Sequence, residues 1–594
     1  MRERLRLWRL LVALNWRADR TSVLVVAALA PVNAVGVALT ALGQRHLVDS
    51  AGLGAVAGVV AAAGVGAAGH LITNAIGRSS ANLQNSLVER VDVLVNDEVS
   101  RAVNEVPTLT HLERPDYLDR VATLSRGTRS LALACWSLVG AATAAIQVVV
   151  SGWLLFDVHP VLIALVLFTV PPLWTAARAH APIRRARAAN AEGLRLEARL
   201  HDLAVDPGAA GELRLSGALP VVDALAADTW ERARRDMLRA RLSAAAWQLG
   251  GWAVYAAGYL GALLLCIHSV AAGRVTLGDL VLLLTLTGQL RRQVGTAVQE
   301  VSAIHEAEQN IAHLTWLRRH SAAHRQPGAR PVLDRLSSGI ELRDVEFRYE
   351  GSRQPVLTGV NLVLAAGATV ALVGANGAGK TTLVKLLTGL YRPTSGAITV
   401  DGHDLDGIDG AHWRNACTAV FQDFTEFHVR AREAVGIGDL DRVGDAAAVR
   451  TAVRRAGALP VVEALPDGLE TRLGSPAGVA ISRGQWQKIA LARGAMRPRA
   501  VLTVLDEPTA ALDPQAEHEV HQRFGDEVAV GPGRVVLLVS HRFSTVRMAD
   551  HIVVLDEGRI TEQGSHRELI DRGGTYARLY RIQAQGYQLS GEPR

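Results

Sequence analysis

Residues Gly374 to Thr382 read GANGAGKTT, and no other run in this chain restricts the fold so narrowly. The pattern G-x-x-x-x-G-K-[ST] works only where a strand ends, a glycine-rich backbone turns and a helix begins, so that amide hydrogens face inward around an anion. The flanks agree: Val370 to Val373 is an apolar run with the look of a buried strand, and Lys380 to Leu390 reads as a helix. The chain has only three lysines against sixty arginines. At those frequencies the pattern is expected by chance roughly 0.003 times in the whole chain. Amides from Gly377 to Thr382 would cradle β- and γ-phosphates, with Lys380 as the mobile cation and the Thr381 hydroxyl as a ligand for Mg²⁺. The alternative, a glycine-rich turn that binds nothing, loses ground with each further match below.

Farther along, VLTVLDEP (Val501 to Pro508) is an apolar run closed by two carboxylates. A strand that ends so delivers acids to its carboxyl edge, where open α/β sheets bind ligands. Asp506 would hold Mg²⁺, and Glu507, one residue beyond, would orient or deprotonate an attacking water. Alone, such a pair is more often a solvated loop.

Together these features resemble the nucleotide-binding domain of ATP-binding cassette (ABC) transporters, and the family's other motifs follow in order. Tyr349 in FRYE matches the aromatic that stacks on adenine, and Gln422 in VFQDF the glutamine that links Mg²⁺ and water to the membrane domain. ISRGQ, Ile481 to Gln485, matches the signature motif; Asp513 in AALD matches the loop that signals between sites; His541 in VSHR matches the γ-phosphate histidine. The resemblance implies ATP and Mg²⁺ as ligands. It assigns Glu507, His541 and Gln422 to catalysis, and Thr381, Gln422 and Asp506 to the metal. Nucleotide contacts fall to Tyr349, Gly374, Asn376, Gly377, Gly379, Lys380, Thr381, Thr382, Ser482, Gly484, Gln485 and Asp513. In the family the signature serves the loop of a facing subunit, so two such domains must meet head to tail. Two positions depart from the pattern. Arg483 stands where the first signature glycine is usual, disfavoured by a helix dipole but favoured by a triphosphate; Ser475 stands where exporters commonly carry a glutamate facing the membrane domain.

The first half explains what such a motor would drive. Mean hydropathy is +0.17, high for a soluble protein. Apolar stretches near 22–42, 51–76, 130–155, 158–176, 243–267 and 278 to about 300 each approach what a bilayer of about 30 Å requires. Six spans is the simplest count. Arginines crowd the amino terminus (Arg2, Arg4, Arg6, Arg9, Arg17, Arg20) and the connections 77–129 and 177–241, while the other connections hold little beyond Arg45 and Arg274. The positive-inside rule then puts both termini and the nucleotide domain in the cytoplasm. The first span is too long for a cleaved signal peptide. The net charge of +6 is mostly this topological arginine and does not point to nucleic acid.

The expected architecture is a six-span helical transmembrane domain with cytoplasmic helical extensions over 1–318, a linker over 319–337, and an α/β phosphate-loop ABC domain over 338–594. The long connections resemble the exporter type, type IV, whose intracellular helices end in short coupling helices, here expected near Pro115 to Arg120 (ERPDYLDR) and Glu212 to Gly217 (ELRLSG). Within the sixth span Thr285, Gln289, Arg292, Gln293 and Thr296 form one polar face. Arg291 and Arg292 lie about 20 Å below Gly278 at about 1.5 Å per residue, either lining a translocation cavity or snorkelling to the inner surface. His70, Asn74, Gln147 and Gln248 are weaker candidates for that cavity.

The expected function is ATP-driven export across a bacterial cytoplasmic (inner) membrane, by alternating access in a dimer of half-transporters. SRGQWQKIALARG, DEPTAALD, ELRLSG and ERPDYLDR resemble exporters of modified peptides such as lanthipeptides, although Ser216 stands where phenylalanine is more usual. About twenty residues precede the first span, so the resemblance is to the branch without a peptidase domain. A multidrug or lipid exporter is the alternative; an importer of the same architecture, or a membrane ATPase that moves nothing, stands further off. Glu507, Gln422 and His541 are all present, which favours a homodimer, while Arg483 leaves a heterodimer possible. Cys135, Cys266 and Cys417 form no metal or disulfide pattern.

Overall fold

A computed structural model describes residue 9 and residues 12–324, 335–474, 478–507, 533–540, 542 and 546–589. The chain divides into two compact units, Met1–Arg101 with Arg120–Arg318, and Ala102–Asp119 with Arg319–Arg594.

The first unit is built from α1 (Arg20–Gly52), α2 (Val56–Asn104), α3 (Pro115–Val158), α4 (Val170–Ala189), α5 (Ala191–Val205), α6 (Pro207–Leu215), α7 (Leu219–Ala271) and α8 (Leu277–His324). Among the described residues, five segments are long and apolar enough to cross a membrane: α1, α2, α3, Pro160–Ala189 and α7. The sixth helix, α8, has 48 residues, but Arg291, Arg292 and its glutamines dilute the apolar run. At about 1.5 Å per residue, the 53 residues of α7 reach ~80 Å, far more than a hydrocarbon core needs. Helices of this length are therefore spans with polar extensions.

The fourth apolar stretch is not one helix. A 3₁₀ turn, Pro160–Ile163, and a helical turn, Ala164–Leu167, precede α4, because Pro160, Pro171 and Pro172 cannot donate to a continuous ladder. Three charged groups lock the ends of α1, α3 and α8 together, with Arg45 pairing Asp157 at 3.0 Å and Asp279 at 2.8 Å. Small residues set the α1–α2 approach: a Cβ on Gly43 would collide with the backbone of Gly66.

The second unit has two sheets. One joins β1 (Gly339–Phe347), β2 (Leu357–Ala365), β4 (Ser395–Val400) and β5 (His403–Asp404) in the antiparallel order β2-β1-β4-β5. The other runs β10-β9-β3-β8-β7-β6, from β3 (Thr369–Val373), β6 (Cys417–Val420), β7 (Leu502–Asp506), β8 (Val535–Val539), β9 (His551–Asp556) and β10 (Arg559–Gly564). Only β9 and β10 pair antiparallel there. Strand β8 is an uninterrupted apolar run buried along its whole length, and β3 and β7 are apolar but for Thr369, Thr503 and Asp506, as suits parallel strands covered on both faces. The entry to β1 is fixed by Asp401, whose carboxylate accepts the amides of Ser337, Ser338 and Gly339 at 2.8, 2.8 and 2.9 Å.

Residues 102–119 pack with this unit. The Leu109 amide donates to the Leu390 carbonyl at 2.9 Å, Arg114 pairs Glu350 at 3.1 Å, and the Tyr391 hydroxyl bonds Glu113. The docked element is thus the 3₁₀ turn Thr110–Glu113, a few residues before the expected Pro115 to Arg120. Pro115 instead opens α3, the position where a missing amide hydrogen costs nothing. The other expected coupling element appears as α6, whose Leu215 is 92% exposed.

Candidate nucleotide site

Residues 374–379 form a loop between β3 and α9 (Lys380–Leu387). Gly374 is obligatory, since a Cβ there would overlap the Leu555 carbonyl oxygen, and Gly379 turns the chain into the helix at φ 102°. Asn376 and Gly377 are exposed at the tip, whereas Lys380 and Thr382 are buried. The Lys380 ammonium donates to the carbonyls of Gly374 at 2.8 Å and Ala375 at 2.9 Å. Burial pushes its pKa down, and the carboxylates of Glu507 and Asp506 partly restore it.

Sheet register brings the acids to this loop. Strand β8 lies between β3 and β7, with Leu372 and Asp506 both opposite Val539, so the carboxyl ends of three parallel strands share one edge. The Thr381 hydroxyl donates to Asp506 at 3.4 Å. Asp506 is 2% exposed; burial, and then the neighbouring Glu507, push its pKa up to about 6. Glu507 sits at φ 48°, a left-handed conformation that costs a non-glycine residue about 1–2 kcal/mol. Its amide donates to the Val539 carbonyl at 2.9 Å, and its carboxylate accepts from Gln422 Nε2 at 2.8 Å.

The oxygens of Thr381, Asp506 and Gln422 are hard ligands of the kind Mg²⁺ takes. The raised pKa of Asp506 marks a buried carboxylate that a cation would restore to its charged form. The residues present therefore fit the metal.

Tyr349 is half-buried beside the loop, its hydroxyl 3.0 Å from Thr382 Oγ1. It packs edge-on against Phe347 and Tyr391, ring centroids 5.0 and 5.6 Å away.

Residues 357–510 match the ABC transporter family. The "ATP-dependent lipid A-core flippase" of Alkalilimnicola ehrlichii is 41% identical over 259 residues, 44% of this chain and 43% of that protein. The "Cyclolysin secretion/processing ATP-binding protein CyaB" of Bordetella pertussis is 35% identical over 340 residues, 55% of this chain and 44% of that protein. The chain thus spans less than half the length of the curated relatives it matches. A structure described as a bacterial Atm1-family ABC exporter with ATP bound is similar at a TM-score of 0.79 and 24% identity, covering 96% of this chain and 98% of that one. The fold is accordingly a helical transmembrane unit followed by an ABC nucleotide-binding domain.

In this ABC domain the signature residues cap α12, the helix Arg483–Gly494, once α10 (Ala431–Gly436) and α11 (Ala446–Arg455) are numbered before it. Ser482 Oγ accepts the Gln485 amide at 3.3 Å, and Gln485 Oε1 accepts the Ser482 amide at 2.7 Å, a reciprocal capping box. Gly484 lies in the first turn. Arg483 is exposed, its guanidinium 5.8 Å from the Phe424 ring centre and so turned over its own domain. Ser475, Asp513 and His541 lie outside the described residues.

Two contributors escape sequence inspection. Gln487 is 3% exposed and donates to the Glu507 carbonyl at 3.3 Å, bracing the strained residue from behind. Arg493 donates to the carbonyls of Ala434 at 2.8 Å and Thr425 at 3.1 Å; burial brings its pKa down to about 10. Each follows the signature in the sequence on a buried helix face, a weak sign in a chain so rich in arginine.

In the first unit, Gln289, Arg292, Gln293 and Thr296 line a cavity of about 330 Å³ among α1, α2, α3 and α8, and Gln147 lines it too. Thr285 instead bonds Gln44, at 2.5 Å. His70, Asn74 and Gln248 are exposed and are not among the lining residues.

Proposed function

We propose that this protein is one half of an ATP-driven exporter in the cytoplasmic membrane of a bacterium, both termini and the nucleotide domain cytoplasmic, working as a dimer. A homodimer suits a chain that carries Glu507, Gln422 and His541 itself. The observation that carries the reading is the meeting, at one sheet edge, of the Lys380 loop, the Thr381–Asp506 pair and the Gln422–Glu507 pair, in a chain whose first half is membrane-length helix.

Lys380 offers its charge to the β- and γ-phosphates, giving up two loop carbonyls to do so. Tyr349 supplies an aromatic face for adenine. Thr381, Asp506 and Gln422 would hold Mg²⁺, which neutralises charge on the phosphates. Glu507, kept in place by Gln422 and Gln487, receives the proton of the attacking water or orients it. Ser482, Gly484, Gln485 and Asp513 would serve the facing subunit, and His541 the γ-phosphate.

Peptide cargo is the finer part of the proposal, supported by the motif phrases above and by the relative named for cyclolysin secretion and processing. The lipid A-core flippases among the relatives favour a second reading, a lipid exporter. Purified protein in proteoliposomes tests the common core: Mg²⁺-dependent ATP hydrolysis, reduced at least a hundredfold in Lys380→Ala and in Glu507→Gln, is expected. Hydrolysis no greater than in Lys380→Ala would sink it.

A further inference from the structure

Among apolar residues and a few hydroxyls, the cavity in the first unit presents carboxamides and one guanidinium, and none of its lining residues is acidic. Gln293 is 5% exposed, and both its amide nitrogen and oxygen lack a hydrogen-bond partner. Gln289, also 5% exposed, gives its nitrogen to the Val37 carbonyl at 3.4 Å and leaves its oxygen without a partner. Gln147 Nε2 donates to Asn33 Oδ1 at 3.4 Å, and both residues line the same cavity. A buried amide left so costs about 1–3 kcal/mol, and the cost persists unless something enters to satisfy it. Glu300, a nearby carboxylate on α8, is hydrogen-bonded to Ser137.

The unmet groups define the visitor. Arg292 and Gln293 Nε2 call for an oxyanion, while the free oxygens of Gln289 and Gln293 call for an N–H donor beside it. A phosphodiester offers acceptors alone and would leave both oxygens unmet. The end of a polypeptide offers a carboxylate and an amide hydrogen one residue apart.

We propose that this cavity binds the carboxyl-terminal end of a transported peptide, with Arg292 on the carboxylate and Gln289 and Gln293 on the last amides. The proposal rests on the export reading and names its substrate end. The test uses full-length protein in lipid nanodiscs and a fluorescent, N-acetylated apolar hexapeptide, as free acid and as carboxyl-terminal amide. The acid is expected to bind at least tenfold tighter than the amide. Arg292→Gln should abolish that preference, Arg292→Lys should keep most of it, and Gln293→Leu should weaken both forms. Equal binding of acid and amide overturns the proposal. So does Arg292-dependent displacement of the peptide by phosphatidic acid or inorganic phosphate at lower concentration than the unlabelled acid. Mg²⁺-ATP hydrolysis of the same preparations, against Lys380→Ala, separates the two ideas. Hydrolysis without acid preference removes the subsite alone, and acid preference without hydrolysis removes the ATP-driven reading and leaves the subsite.

Discussion

Asp506 is a carboxylate in surroundings that disfavour its charge, buried at the end of β7 beside Glu507, with a pKa of about 6 against an ordinary 3.8. A raised carboxyl pKa means the folded state holds the extra proton between those values, so stability falls as pH rises through that window. Asp506→Asn should therefore raise the unfolding midpoint of the nucleotide-free protein at pH 7.5, by the equivalent of up to ~3 kcal/mol at about 1.4 kcal/mol per pKa unit. The gain should shrink as pH is lowered through 6, and Mg²⁺-dependent hydrolysis should be lost. Thermal unfolding across pH 5 to 8 in both proteins checks the sign. This residue was legible in the sequence because an apolar run ending in two acids follows a phosphate-loop pattern and keeps company with the family's other motifs. Gln487 was not: a glutamine inside a helix gives no sign that its amide reaches a backbone carbonyl on another element.

Among the elements, α12 depends on its first turn. Removing the cap in Ser482→Ala costs about 1 kcal/mol, visible as a midpoint drop of a few degrees, and it also deletes a hydroxyl proposed above to serve a facing subunit. Turnover should fall further than stability does. Arg483 rests over Phe424 instead of at the helix axis, so the parent should hydrolyse ATP and Arg483→Gly should stay within tenfold of it; a larger change in either direction would mean the guanidinium swings onto the triphosphate. In the helical unit, Gly43→Val would drive a branched side chain into the Gly66 backbone, and the yield of folded protein in membranes should collapse. The strands were the easiest elements to anticipate. Val370 to Val373 appears within β3, which begins one residue earlier at Thr369, because a short apolar run bounded by a glycine-rich turn suits a covered strand. The docked turn Thr110–Glu113 meets the expected segment ERPDYLDR at its first residue; Pro115 reads equally as turn or helix start, and only the partner at Leu390 shows where the turn lies.

At the scale of the molecule, Tyr391 joins Tyr349, the aromatic proposed for adenine, to the docked turn. It packs against Tyr349 at 5.6 Å, is 2% exposed, and bonds Glu113 through its hydroxyl; burial, then Glu113, push its pKa up. Tyr391→Phe keeps the ring and loses that bond. Basal hydrolysis should stay within about twofold, while stimulation by substrate and transport per ATP should fall severalfold, measured side by side in proteoliposomes.

Asp401 has a mechanical side. Three successive amides, those of Ser337, Ser338 and Gly339, converge on its single carboxylate where the chain enters β1. Tension arriving along the backbone would meet these three bonds before it could peel the strand from its neighbours one bond at a time. Repeated strokes would thus be borne at the rim of the sheet, leaving the strands beneath it undisturbed.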